Sequence, residues 1–121
     1  MKSLALCKMS REIASYVSYN RDFIKLYRSN SLRDIIADAL ITDAVLIPQK
    51  IAQAECSESY VTRQKNVRFI NTMTQNILSY CNGLEKDGVK EKEYLNLLRK
   101  EVSAFQKAFV SWKNAIQNNN Q

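Results

Sequence analysis

Six basic side chains stand out by their spacing. Arg21, Lys25 and Arg28 recur at i, i+4 and i+7, which a helix turns into one stripe. Arg63, Lys65 and Arg68 gather within the first two turns of a later helical segment. Phosphate groups are held by cations, and clusters at helical spacing can follow a sugar–phosphate backbone. These six are the candidate nucleic-acid-binding residues. Lys92, Arg99, Lys100, Lys107 and Lys113 spread further positive charge along the last segment. The alternative for any one of them is an ordinary solvated surface. Copies of the chain in an oligomer would multiply modest patches into a strong field.

Other chemistries are removed by residue type. The chain has no histidine, so neither a Ser-His-Asp nor a Cys-His apparatus nor a histidine metal ligand exists. Two glycines, Gly83 and Gly88, cannot spell a P-loop or a dinucleotide fingerprint. Asp34, Asp38 and Asp43 fall on one segment, but di-iron bundles add Glu-x-x-His pairs that are missing here. A solvated face or ion pairing is the expected role of those acids. Only Lys, Tyr, Cys and carboxylates remain for catalysis, and no pair has a suggestive spacing. A protein that is not an enzyme and carries neither metal nor cofactor is expected. Six tyrosines and four phenylalanines invite base stacking, yet most sit at core spacing. Tyr19 and Tyr80 lie nearest the edges of the apolar stripes.

The elements that must position these residues are helices. With 121 residues the chain suits one domain, and glycine (2) and proline (1) are too scarce for turn-rich β architectures. Four segments have helical periodicity, at about 10–28, 32–55, 60–84 and 90–117, followed by a polar tail at 118–121. The first has an apolar seam of Ile13, Tyr16, Val17, Phe23, Ile24 and Tyr27. Ser31 with Asp34 has capping-box spacing at the start of the second. That second segment is apolar over more than one face, which suits equally a helix packed both in its own bundle and against a partner, or the central helix of a monomer. Pro48 predicts a kink near 44–47 rather than a break. Ser57 or Ser59 is the expected cap of the third helix, and Gly88 its left-handed stop. Leu95, Leu98, Val102, Phe105, Phe109, Trp112 and Ile116 form a strict heptad seam in the fourth. Short connections make consecutive helices antiparallel, hence an all-α, up-down-up-down four-helix bundle.

Charge and cysteine usage narrow the class further. Eighteen basic against twelve acidic residues leave +6. Residues 31–60 carry −3 while the other three quarters are positive, so the molecule has a signed geometry. Cys7, Cys56 and Cys81 are scattered 49 and 25 residues apart, as reduced thiols of a cytoplasmic protein would be. Lys8 and Arg11 interrupt the opening apolar run before a secretory signal develops, and no segment is long and apolar enough to span a membrane.

The order of features resembles a superfamily of small bacterial four-helix-bundle proteins. It includes the accessory variability determinant proteins of diversity-generating retroelements and the proteins encoded in large-subunit ribosomal RNA intervening sequences. Residues 43–54 (DAVLIPQKIAQA) are similar to the family's second helix, where a mid-helix proline precedes Ile-Ala and a small residue. Arg63 with Val67, Ile70 and Ile77 resembles its third helix. Gly88-Val89, Tyr94, Leu98 and Trp112 resemble the turn into the fourth helix and its end. Two positions depart: Ser111 replaces the glycine before the tryptophan, and Lys50 replaces the asparagine of the intervening-sequence branch. The first helix also lacks that branch's signature, so the retroelement branch is favoured. The resemblance implies a basic pentamer that binds a reverse transcriptase and RNA, or an RNA/DNA hybrid, and assists template-RNA-primed mutagenic cDNA synthesis without activity of its own. The competing expectation is a helical scaffold or protein-interaction subunit without nucleic acid.

Overall fold

A computed structural model describes residues 3–18 and 31–118, and these form four helices with no strand among them. They are α1 (Ser3–Val17), α2 (Leu32–Cys56), α3 (Tyr60–Lys86) and α4 (Lys92–Asn118). Each packs on its neighbours in chain order, and α1 closes the ring against α4. Contacts between helix ends fix the directions. Arg33 at the start of α2 meets Asp87 just past the end of α3. Tyr16 at the end of α1 meets Tyr94 at the start of α4, with ring centroids 4.9 Å apart. The fold is the antiparallel up-down-up-down bundle that the periodicity predicts.

The last three helices lie within two residues of their expected bounds, but the first does not. It is helical from Ser3, seven residues before the expected start at 10, and its described part ends at Val17. The reason is a continuous buried register of Leu6, Ser10, Ile13, Ala14 and Val17. Lys8 and Arg11, which appear to interrupt the apolar run, fall on the exposed side. Tyr16 is 48% exposed rather than part of the seam. The expected remainder of this helix, with Phe23, Ile24 and Tyr27, and the tail beyond Asn118 lie outside the described residues.

The caps are local chemistry. Ser31 Oγ accepts from the Asp34 amide at 3.5 Å. Ser59, rather than Ser57, caps α3 by accepting from the Thr62 amide at 3.3 Å, while Ser57 Oγ accepts from Ser59 N. α3 ends in a Schellman motif: Val89 N reaches Leu84 O, Gly88 N reaches Glu85 O, and Gly88 takes φ 94°. Val89 and Leu84 are both buried, which supplies the apolar contact of that motif. α2 continues unbroken through Pro48.

One core runs through all four helices. α2 faces it with Ala37, Leu40, Ala44, Ile47, Ile51 and Ala54, whose alanines let its neighbours approach closely. Leu95, Leu98, Val102, Phe105 and Phe109 of α4 fill the opposite side. α1, at 15 residues, reaches only about 22 Å, against about 38–40 Å for the others. Toward the C-terminal end of α4, Phe105, Phe109 and Trp112 stack in series at 5.9 and 5.8 Å. Trp112, expected in the core, is only partly buried, and its Nε1 donates to Glu55 Oε1 at 2.9 Å.

Candidate nucleic-acid interface

The six basic candidates have different situations. Arg21, Lys25 and Arg28 lie outside the described residues. Arg63 is half-buried, and its Nη1 donates to Ser57 O at 2.9 Å, bracing the turn between α2 and α3. Its guanidinium thus has a structural task at the entry to α3. Lys65 and Arg68 are exposed. With Phe69 and Thr72 they line a shallow open depression of about 340 Å³.

Two members of this surface were passed over in the sequence. Lys50, from α2, sets its Nζ 5.0 Å from the centroid of the Phe69 ring and bonds Gln53 Oε1 at 3.4 Å. Phe69 itself is 46% exposed, whereas Phe105 and Phe109 are buried. It sits one position before the core residue Ile70, on the border of α3 that faces α2. Its step away from the Val67–Ile70–Thr74 seam is the signal that was available. The rest of the outer face of α3 is hydroxyl and amide: Thr72, Gln75 and Ser79.

The charge on this part of α3 is of one sign. No acidic residue occurs between Glu58 and Glu85. Among the described residues, the ion pairs are Arg33 with Asp87 at 3.0 Å and Arg99 with Glu85 at 3.1 Å, neither of which touches this face. Lys50, Lys65 and Arg68 thus keep their charge uncompensated. Arg99 is further occupied by Asn82 and Asn96. On α4, Arg99, Lys100 and Lys107 border an open groove with Ser103, Ala104, Ala108 and Ser111, a second basic surface that has no aromatic ring in its lining.

The remaining polar groups serve packing. Asp34 is fully buried at the start of α2 instead of lying on a solvated face, held there by the geometry of the cap. Asp43 accepts from Tyr80 Oη at 2.6 Å and from Asn76 Nδ2 at 3.3 Å, a polar latch between α2 and α3. Burial first, then the bond to Asp43 and its negative charge, pushes the Tyr80 hydroxyl well above the usual tyrosine range. Tyr80, an expected edge residue, is thus tied inward. Burial pushes the Cys81 thiol up to about 11, so it stays protonated and inert near neutral pH. No group of three His, Cys, Asp or Glu among the described residues is placed to hold a metal ion.

Fold and surface together describe a small all-α helical bundle whose described residues include a cationic patch around Phe69. Comparison with protein-family models, curated proteins and solved structures finds no match. No helix among the described residues is long and apolar enough to cross a membrane.

Proposed function

We propose that this chain is a non-catalytic, self-associating nucleic-acid-binding protein of the cytoplasm that assists a retroelement reverse transcriptase. The observation that carries the nucleic-acid part is the face of α3, where Lys65, Arg68 and the neighbouring Lys50 have no carboxylate to answer them. A protein that needed these cations for stability would pair them. Left unpaired, they suit a polyanion. The reverse transcriptase and the pentamer rest on the residue pattern around Pro48, Gly88 and Trp112. The net charge of +6 per chain supports a ring whose copies reinforce one another.

α2 supports self-association. Its exposed side carries the uncharged Leu32, Ile35 and Thr42, with the half-buried Ala39 between them. Leu32 is 60% and Ile35 50% exposed. The same stripe favours the second reading, a scaffold subunit that meets proteins and not nucleic acid.

Two measurements separate the readings. RNA binding by the double variant Lys65→Glu/Arg68→Glu is expected to fall at least tenfold with the fold intact; unchanged affinity would remove the interface. Native mass, taken free of nucleic acid at moderate salt, is expected at about 70 kDa for five chains of 14.0 kDa. A monomer would remove the ring and bring the scaffold reading forward.

A further inference from the structure

We propose that Phe69 is a stacking platform for an unpaired base, so that the α3 face selects single-stranded over duplex RNA. This rests on the nucleic-acid reading and goes beyond it by naming the form of the ligand. The ring is 46% exposed in a helix whose other large apolar groups past the first turn pack inward or at least partly so. It is also ringed by charge of one sign. Lys65 lies one turn before it, Arg68 beside it, and Lys50 crosses from α2 to hold its ammonium 5.0 Å from the ring centroid. Thr72 completes the rim of the depression.

That combination has a specific use. Cations neutralise phosphates on either strand form, but an aromatic face adds binding only where a base is free to leave its own stack. Every base has such a π-face, so the preference is for single strands and not for a sequence. Lys50 is tethered by one 3.4 Å bond to Gln53, which lets its ammonium exchange the ring for a phosphate as a base settles on Phe69. The amide and hydroxyl side chains of Thr72, Gln75 and Ser79 continue the surface along α3, up to the Asp43 carboxylate that Asn76 and Tyr80 hold.

An acidic polypeptide is the other occupant that these cations would accept, and polyglutamate represents it in the test. Binding of the full chain to an oligouridylate strand, to an RNA duplex of equal length and to polyglutamate is measured for wild type, Phe69→Leu and Phe69→Trp, with helix content checked by circular dichroism. Phe69→Leu keeps apolar bulk but loses the π-face. It is expected to lower single-strand affinity about tenfold while duplex affinity changes less than about twofold. Phe69→Trp is expected to retain affinity and to be quenched by the single strand more than the wild-type Trp112 signal is. Equal loss on both RNA forms, or no loss on the single strand, overturns the stacking role. Preference for polyglutamate that depends on Phe69 overturns it as well. Failure of wild type to bind either RNA at low salt overturns instead the nucleic-acid reading beneath it.

Discussion

The two halves of the bundle treat the same residue types in opposite ways. Where α2 begins, α3 stops and α4 starts, the arginines are answered. Arg33 Nε meets the Asp87 carboxylate and its Nη2 the Asp87 carbonyl, both at 3.0 Å. Arg99 reaches Glu85, Asn82 and Asn96. These bonds close the half that also carries the Schellman turn at Gly88. In the other half, where α2 ends and α3 starts, Lys50, Lys65 and Arg68 stand around an exposed ring with no acid among them. Glu55 there goes to Trp112 instead. A basic residue is structural or available according to its partners, and composition does not reveal which.

The largest expected effect comes from reversing the open cluster. Lys50→Glu/Lys65→Glu/Arg68→Glu should lower RNA affinity by more than an order of magnitude in a fluorescence anisotropy titration. Thermal stability should fall by no more than about 1 kcal/mol, the worth of the exposed cation–π contact that Lys50 makes with Phe69. A large loss of stability would show that this half is braced by its cations after all. The reciprocal change is Arg33→Ala in the closed half. It removes a partly buried, two-bonded contact and should destabilise by about 1–2 kcal/mol, with Tm lower by several degrees and RNA affinity unchanged. Arg33→Lys should not restore both bonds, since an ammonium lacks the planar fork.

The latch between α2 and α3 gives a pH-dependent effect of about 1 kcal/mol. The folded state holds the Tyr80 proton to a higher pH than the unfolded state does. Its contribution is therefore complete below the ordinary tyrosine value near 10.0 and lost as pH rises beyond it. Urea unfolding at rising alkaline pH should show this decline in wild type and a shallower one in Tyr80→Phe. Parallel curves would remove Tyr80 from the linkage. The smallest effect is one of reactivity. Cys56 in the open half is exposed and should be alkylated in the native protein, whereas buried Cys81, its thiol raised to about 11, should react only on unfolding. Peptide mapping after brief iodoacetamide treatment reads both.

Much of the closed half was legible in the sequence. Ser31 with Asp34, the Gly88 stop and the Leu95–Phe109 seam are local or periodic signals, and each appears where its chemistry places it. α1 was misjudged because Lys8 and Arg11 look like an interruption in one dimension and are an outer face in three. Asp34 looked solvated because only packing reveals that it is buried while its neighbours Leu32 and Ile35 are exposed. The candidate interface was half visible. Lys65 and Arg68 follow from spacing, but Arg63's commitment to Ser57 depends on how the turn folds back. Lys50 and Phe69 meet only when α2 and α3 pack, across 19 positions of sequence.

On the proposed function, the cations beside Phe69 bind phosphates. The most direct measurement is the affinity of wild type and of the Lys50/Lys65/Arg68 charge-reversal variant for one single-stranded RNA across a range of salt. Each phosphate contact adds about 0.7 to the negative slope of log affinity against log salt for single strands. Wild type should give a steep straight line, and the variant a weaker affinity with a slope shallower by about 2. Equal slopes for the two proteins, or no RNA binding by wild type at low salt, would contradict the claim.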